Sequence, residues 1–405
     1  MAVSSLFEGN CRRFEGIIYR FQTNRLLASV TIYFNFASKS VKTLREDMIQ
    51  AFRAENFRCF KEIEANGLRR VNVIVGRNGA GKTAFLEAMR LGLSGTPQAL
   101  WGMNQARTVL VGFQQPFTRE NFESLWSTYF FNFDSSRPIK IKCVDSKGFE
   151  ATLAVYYDMN RPAPGPPAPS RPDAPITPVT VNFIPSLAFE RHGFAGEQSI
   201  LYASVNAQGL NFDNGVELLP VTESFGSPFN TNFAASAQMF SQLSIREREG
   251  EIVSVVRQEF EPNLESLVVL SLGVMPGLYA SVKYLKEKVP IGLMSSGMNR
   301  FITMLSAILL RGNGVVLLDE IENGLSYRVF PALWKYILKF AQENNTQVFA
   351  STHSNECLKA LLPTIENNEE EFAAIRSERV NGSCEITVLP GRAIEAAIDQ
   401  GVEIR

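Results

Sequence analysis

At 405 residues, 45% hydrophobic and 20% charged, the chain is long enough for one large core or two compact lobes, which excludes a mainly disordered polymer. Forty Lys and Arg against 41 Asp and Glu leave a net charge of −1, so the basic surplus of a dedicated nucleic-acid binder is absent in the sum. The five cysteines (Cys11, Cys59, Cys143, Cys357 and Cys384) are scattered without a Cys-x-x-Cys pair, which speaks against a zinc site or a disulfide framework and for a reducing, cytoplasmic setting.

In residues 1–47, Arg12, Arg13, Arg20 and Arg25 precede the apolar Leu26–Phe36 stretch, loosely like a targeting peptide. No apolar run reaches the roughly 18 to 20 residues that span a bilayer, so no membrane partner is expected. The first strand signal, Ile49-Gln50-Ala51-Phe52, begins directly after Met48. Met48 is therefore expected as the start, with residues 1–47 an upstream extension; a structured extension and a targeting signal are the alternatives.

From Met48 to about Gly95 the pattern is strand, turn, strand, Gly-rich loop, helix. Val71-Asn72-Val73-Ile74-Val75 reads as a buried strand. It runs into Gly76, Arg77, Asn78, Gly79, Ala80, Gly81, Lys82 and Thr83, which satisfy the G-x-x-x-x-G-K-[ST] pattern of a phosphate-binding P-loop. The chemistry explains the spelling. Glycines supply positive φ angles and leave no Cβ in the way of a phosphate chain wrapped by backbone N–H groups. Lys82 is placed to reach the β- and γ-phosphates of ATP, and the Thr83 hydroxyl to ligand Mg²⁺, at the start of a helix whose dipole favours anions. Phe85, Leu86 and Met89 give that helix an apolar face.

Residues 138–157 alternate apolar positions about an Asp145-Ser146-Lys147-Gly148 turn, a hairpin signal that implies an antiparallel side sheet. Eight prolines between Pro162 and Pro178 mark residues 160–180 as an extended loop, which neither a helix nor a central strand tolerates. Residues 184–240 are rich in aromatics and Asn without a clear period, and about 184–262 is expected to form an inserted helical lobe. Within it, a charged helix over Ser244–Phe260 carries an apolar stripe of Ile245, Ile252, Val255 and Val256. Strand-like Leu267–Leu270 and Leu278–Val282 follow.

Ser295, Ser296 and Gly297 precede Met298, Phe301, Ile302, Leu305, Ile308 and Leu309, which repeat at helical spacing. The serines thus sit at a helix N-terminus, where hydroxyls serve either as ordinary caps or as anion ligands. Val315-Val316-Leu317-Leu318 is a continuous apolar run typical of a parallel strand buried on both faces, and it ends in Asp319-Glu320, the Walker B arrangement. Asp319 is assigned to the metal and Glu320 to the base that prepares the attacking water. Gln347–Thr352 forms the next strand and ends at His353, placed to reach the γ-phosphate because neighbouring parallel-strand ends converge where nucleotides bind. Glu369-Glu370-Glu371 reads as a solvated acidic turn, and Ile394–Ile398 as an amphipathic stretch.

Gly76–Thr83, Leu293–Met298, Leu317–Leu325 and Ser351–Ser354, in that order, resemble the standalone ABC-type ATPases of the RecF, SMC and OLD groups found in bacterial phage-defence and DNA-repair systems. The resemblance covers nearly everything from Met48 onward, residues 48–405. It implies an α/β P-loop NTPase of ABC ATPase type: a mixed sheet flanked by helices, an antiparallel side sheet and an inserted lobe. It also implies that Ser295, Ser296 and Gly297 are the signature motif, that Glu322–Leu325 is the loop linking two sites, and that ATP with Mg²⁺ is sandwiched in a homodimer. Asn56-Phe57-Arg58-Cys59-Phe60 resembles the first strand of such proteins, which would bring Arg58 toward the phosphates.

Two departures stand out. Ser326 follows Gly-Leu where relatives carry His, and the signature lacks the Gly-Gly-Gln of transporters. The glutamine-loop residue stays open among Gln105, Gln114 and Gln115. Only residues 354–405 follow His353, which leaves no room for the TOPRIM-type nuclease of many OLD relatives, so a separate effector chain is expected. The resemblance thus points to an ATPase controlling a partner effector, with a RecF-like protein that binds DNA when ATP-closed as the alternative.

Overall fold

The computed structural model describes residues 48–106, 119–159, 161, 184–206, 209–224, 233–271 and 276–399. The 1–47 extension, the run Pro162–Pro178, Gln114 and Gln115 lie outside these residues. Gln105 falls in the helix Pro97–Ala106.

A six-stranded sheet organises the site. In spatial order its strands are Ser383–Pro390, Phe372–Val380, Val71–Val75, Gln347–Ser351, Val315–Leu318 and Val221–Ser224. The last five run parallel, and Ser383–Pro390 pairs antiparallel at the edge. Val71–Val75 and Gln347–Ser351 are buried at every position, including the polar Asn72, Gln347 and Ser351, which is why their sequences are mostly apolar without a polar face. Because the five strands share one direction, Gly76, Thr352-His353, Asp319-Glu320 and Arg376–Arg379 all emerge at the same edge of the sheet.

Both faces of this sheet are covered. On one, Val73, Val75, Val316, Leu318, Val348 and Ala350 pack with Phe301, Ile302 and Leu305 of helix Ser296–Leu310 and with Leu333, Trp334 and Ile337 of helix Phe330–Glu343. The other meets the P-loop helix Lys82–Ser94, where Phe85 lies 6.4 Å from Phe349 between ring centroids. The far side of that helix rests on a seven-stranded antiparallel sheet. Phe52 meets Phe85 edge-on at 5.4 Å, and a Cβ on Gly92 would come within 2.5 Å of Ile141. The P-loop helix is thereby clamped between two sheets, so the loop it carries is presented rigidly.

The antiparallel sheet contains the expected hairpin, Ile139–Asp145 with Glu150–Asp158, but is larger than its signal. Ser186–His192, Gln198–Asn206 and Gly209–Phe212 extend it. The expected helical lobe over 184–262 is therefore corrected: its first part is strand, and Val221–Ser224 joins the central sheet beside the Asp319 strand. The helical part is two helices, Phe233–Ile245 and Glu249–Glu259, broken where Glu247 takes a left-handed φ of 56°. Ile245 closes the first of them, 82% exposed, and does not belong to the apolar stripe with Ile252, Val255 and Val256. A small sheet of Leu264–Ser271, Pro276–Val282 and Val289–Pro290 shares their core.

Candidate nucleotide site

The P-loop owes its shape to three glycines at φ 147°, 77° and 101° (Gly76, Gly79 and Gly81), conformations that a side chain would strain. Space forbids a side chain at two of them as well. A Cβ on Gly76 would lie 2.3 Å from the Ser377 carbonyl oxygen, and one on Gly81 2.9 Å from Cys59 Sγ. Lys82 is buried, and its ammonium donates to the carbonyls of Gly76 at 2.8 Å and Arg77 at 3.1 Å, so the loop curls around its own cation. The arrangement fits a phosphate chain: a loop shaped by three positive-φ glycines, packed against Ser377 and Cys59, stands at the N-terminus of a 13-residue helix.

One carboxylate meets the loop directly. Thr83 Oγ1 donates to Asp319 Oδ2 at 2.9 Å, and Ser351 Oγ donates to the other oxygen of Asp319. A hydroxyl and a carboxylate at this separation form the hard-oxygen donor set that suits Mg²⁺, which binds through one or two protein oxygens plus phosphate and water. Glu320 sits in a left-handed conformation at φ 48°. Its N–H donates to Ser351 Oγ at 2.8 Å, and its Oε2 accepts from the side-chain amide of Asn323. Arg300 Nη2 bonds the carbonyls of Asp319 and Glu320 at 2.7 and 2.8 Å. Burial pulls the Arg300 pKa down, opposed by the charges of Asp319, Glu320 and Glu322. The turn that aims Glu320 is therefore held from three sides.

His353 follows the adjacent strand. Its backbone N–H donates to Glu322 Oε1 at 2.6 Å, and Nδ1 lies 2.8 Å from the same oxygen, close but off the hydrogen-bond direction. Glu322 is buried, so its bond to the His353 N–H ties the backbone at His353 to the Glu322–Leu325 loop. The Ser295 hydroxyl caps helix Ser296–Leu310 by accepting from the Met298 N–H at 3.2 Å, and Ser296 next to it is exposed. Gly297 has a packing reason of its own: a Cβ there would lie 2.4 Å from the Gly324 carbonyl oxygen. The Ser-Ser-Gly turn and the Glu322–Leu325 loop thus form one surface.

Arg58 is engaged differently from its expected place at the phosphates. Its guanidinium pairs with Glu87 on the P-loop helix at 3.1 Å and lies over the Tyr129 ring, 4.0 Å from its centroid. The first strand ends at Phe57, and Arg58-Cys59 form the turn into Phe60–Asn66, with Cys59 backing Gly81.

Sequence reasoning placed Ser351 and Asn323 only within the Ser351–Ser354 and Glu322–Leu325 motifs, without a role of their own, and passed over Arg300 and Ser377. Ser351 links Asp319 to the Glu320 N–H, while Ser377, fully buried, donates from Oγ to the Ala80 carbonyl at 2.6 Å and braces the loop. Ser351 had a signal, a polar residue closing an apolar strand; Ser377 had none. We expect Ser351→Ala to weaken Mg²⁺ affinity about 10- to 100-fold, as loss of a partner that orients a ligand does. A Mg²⁺ titration of ATP hydrolysis reads this, and an unchanged midpoint rules out the orienting role.

Two family models match the chain. Residues 52–142 match a model described as an AAA domain. Residues 241–359 match an AAA domain model whose description names the AbiEii toxin and type IV TA systems. A Helicobacter pylori protein called ATP/GTP phosphatase is 24% identical, over 80% of this chain and 90% of its own. Among solved structures, an SmcHead bound to the C-winged helix domain of ScpA is 12% identical with a TM-score of 0.43, over 84% of this chain and 97% of that one. The SMC head domain from Thermotoga maritima is likewise 12% identical, with a TM-score of 0.40 and coverage of 84% and 98%.

The sheet order and the site define the class as a P-loop ATPase, and the two matched models are AAA domains. In this chain the ATPase core comes in two pieces, one carrying the P-loop and the other Ser295–Gly297, Asp319, Glu320 and His353.

Proposed function

We propose that the protein is a Mg²⁺-dependent, cytoplasmic ATPase whose two copies close head-to-tail around ATP, and that this closure controls a separate effector in the manner of OLD-like, phage-defence ATPases. The observation that carries the reading is the surface formed by the Ser-Ser-Gly turn and its neighbouring loop. Leu293 is 80% exposed and Tyr327 64%, and Ser296, Gly324, Ser326 and Arg328 are exposed with them. Hydroxyls at a helix start serve an anion, and flanking apolar groups left in water serve a protein partner. A second copy presenting its P-loop satisfies both, and the γ-phosphate then bridges the halves.

Glu320 serves as base and His353, whose backbone N–H is held by Glu322, senses the γ-phosphate. The description attached to residues 241–359, with its toxin and its TA system, is in keeping with an ATPase that works beside an effector. Among the described residues no helix is long and apolar enough to cross a membrane.

Light scattering on the size-exclusion eluate tests the dimer. Wild type with Mg²⁺ and a non-hydrolysable ATP analogue should run as a dimer. Ser296→Arg should stay monomeric while still binding the analogue in its own P-loop, losing only the affinity that closure adds, because the substitution obstructs the partner's nucleotide and not the chain's own. A wild type that stays monomeric at saturating analogue overturns the shared-site reading. DNA binding that falls steeply with salt would instead favour the RecF-like clamp, since neutralised phosphates release counterions.

A further inference from the structure

The groups that face the γ-phosphate all come from one side of the P-loop strand. Asp319 and Glu320 end the strand Val315–Leu318, and His353 follows Gln347–Ser351; both strands lie on the same flank of Val71–Val75. The Thr83 to Asp319 hydrogen bond fixes the metal end there. A triphosphate threaded through the loop must therefore send its other end toward the opposite flank.

That flank is the strand Phe372–Val380. Arg376 registers with Val75, the last residue of the P-loop strand, so Ser377, Glu378 and Arg379 continue alongside the loop itself. Between them and Arg77, Asn78, Gly79 and Ala80 lies a cavity of about 500 Å³, within the size range of small-molecule sites. Its chemistry is specific. Arg376 pairs with Glu378, yet its Nε is buried without a hydrogen-bond partner among the described residues, and Arg379 is exposed at the rim. Guanidinium planes stack on aromatic faces, and a carboxylate beside a nucleotide site accepts from ribose hydroxyls.

We propose that this cavity holds the nucleoside half of ATP, with Arg379 stacking on the base and Glu378 accepting from the ribose. The proposal rests on nucleotide binding at Gly76–Thr83 and adds the part of the site that recognises more than phosphate. Ser377 has a double duty: it holds the loop through Ala80 and sets the distance between the phosphate cradle and the base. The sequence between residues 376 and 379 thereby decides how strongly a nucleoside triphosphate is preferred over a bare polyphosphate.

Calorimetry with two probes, ATP·Mg and inorganic tripolyphosphate·Mg, separates the possibilities. Arg379→Ala should weaken ATP about tenfold, the scale of one lost base-stacking contact, and leave tripolyphosphate unchanged. Glu378→Gln should narrow the preference for ATP over 2′-deoxy-ATP. Equal weakening of both probes by Arg379→Ala would reduce Arg379 to a general cation and overturn the proposal, as would an unchanged ATP affinity. Unaltered tripolyphosphate binding certifies that each variant is folded. A wild type that binds neither probe would instead sink the P-loop reading beneath it.

Discussion

Glu320→Gln is expected to slow ATP hydrolysis by at least about a hundredfold while ATP stays bound, the loss typical of removing a positioned general base. The substitution isolates the chemistry because the backbone state is common to both residues. Glutamine meets the same left-handed φ of 48°, keeps the N–H donated to Ser351 and keeps the carbonyl that accepts from Arg300. Only the carboxylate is lost, and the amide is close to isosteric beside Asn323. Phosphate release under single-turnover conditions reads the rate. On the proposed shared site the variant should also persist as an ATP-bound dimer through size exclusion where wild type decays. Hydrolysis at the wild-type rate would remove Glu320 from the role of base.

Lys82→Ala should raise the Kd for ATP by more than about a hundredfold, because the ammonium provides charge-assisted hydrogen bonds worth roughly 1.5–3 kcal/mol each to the bound phosphates. The structure shows why Arg58 does not replace it. Lys82 is buried at the head of its helix and already inside the ring of loop carbonyls, whereas the Arg58 guanidinium is spent on Glu87 and Tyr129. The fold should survive, since the P-loop helix is held by Phe85 against Phe52 and Phe349 and not by the lysine. Isothermal titration, with circular dichroism as the check on folding, decides it. ATP binding within a few-fold of wild type would show that the backbone cradle alone suffices.

The P-loop, the Asp319-Glu320 strand end, the Ser295 cap and the His353 position were legible because each is spelled locally: a glycine spacing, an apolar run ending in acids, hydroxyls before a helical period. The elements that escaped lack such spelling. Ser186–His192 is buried on both sides along most of its length, so it shows no alternation to separate it from a helix in an aromatic-rich segment. Phe372–Val380 begins with four buried residues and continues through Arg, Ser, Glu and Arg beside the loop before closing on Val380, which reads neither as a run nor as a period-2 strand. Ser377 and Ser351 act through neighbours about 300 and 30 residues away, distances over which side chains leave no mark on local pattern. Arg58 was conspicuous, but its partner Glu87 is an ordinary helix carboxylate until the turn and the helix are brought together.

The strand that delivers the P-loop is made early in the chain, yet its two lateral neighbours, Gln347–Ser351 and Phe372–Val380, are made last. During synthesis, the phosphate cradle does not have both flanking strands until residue 380 has left the ribosome, and closing that span is a slow, long-range event. Chains cut short before residue 347 lack both neighbours, so a prematurely terminated product cannot form the complete nucleotide site.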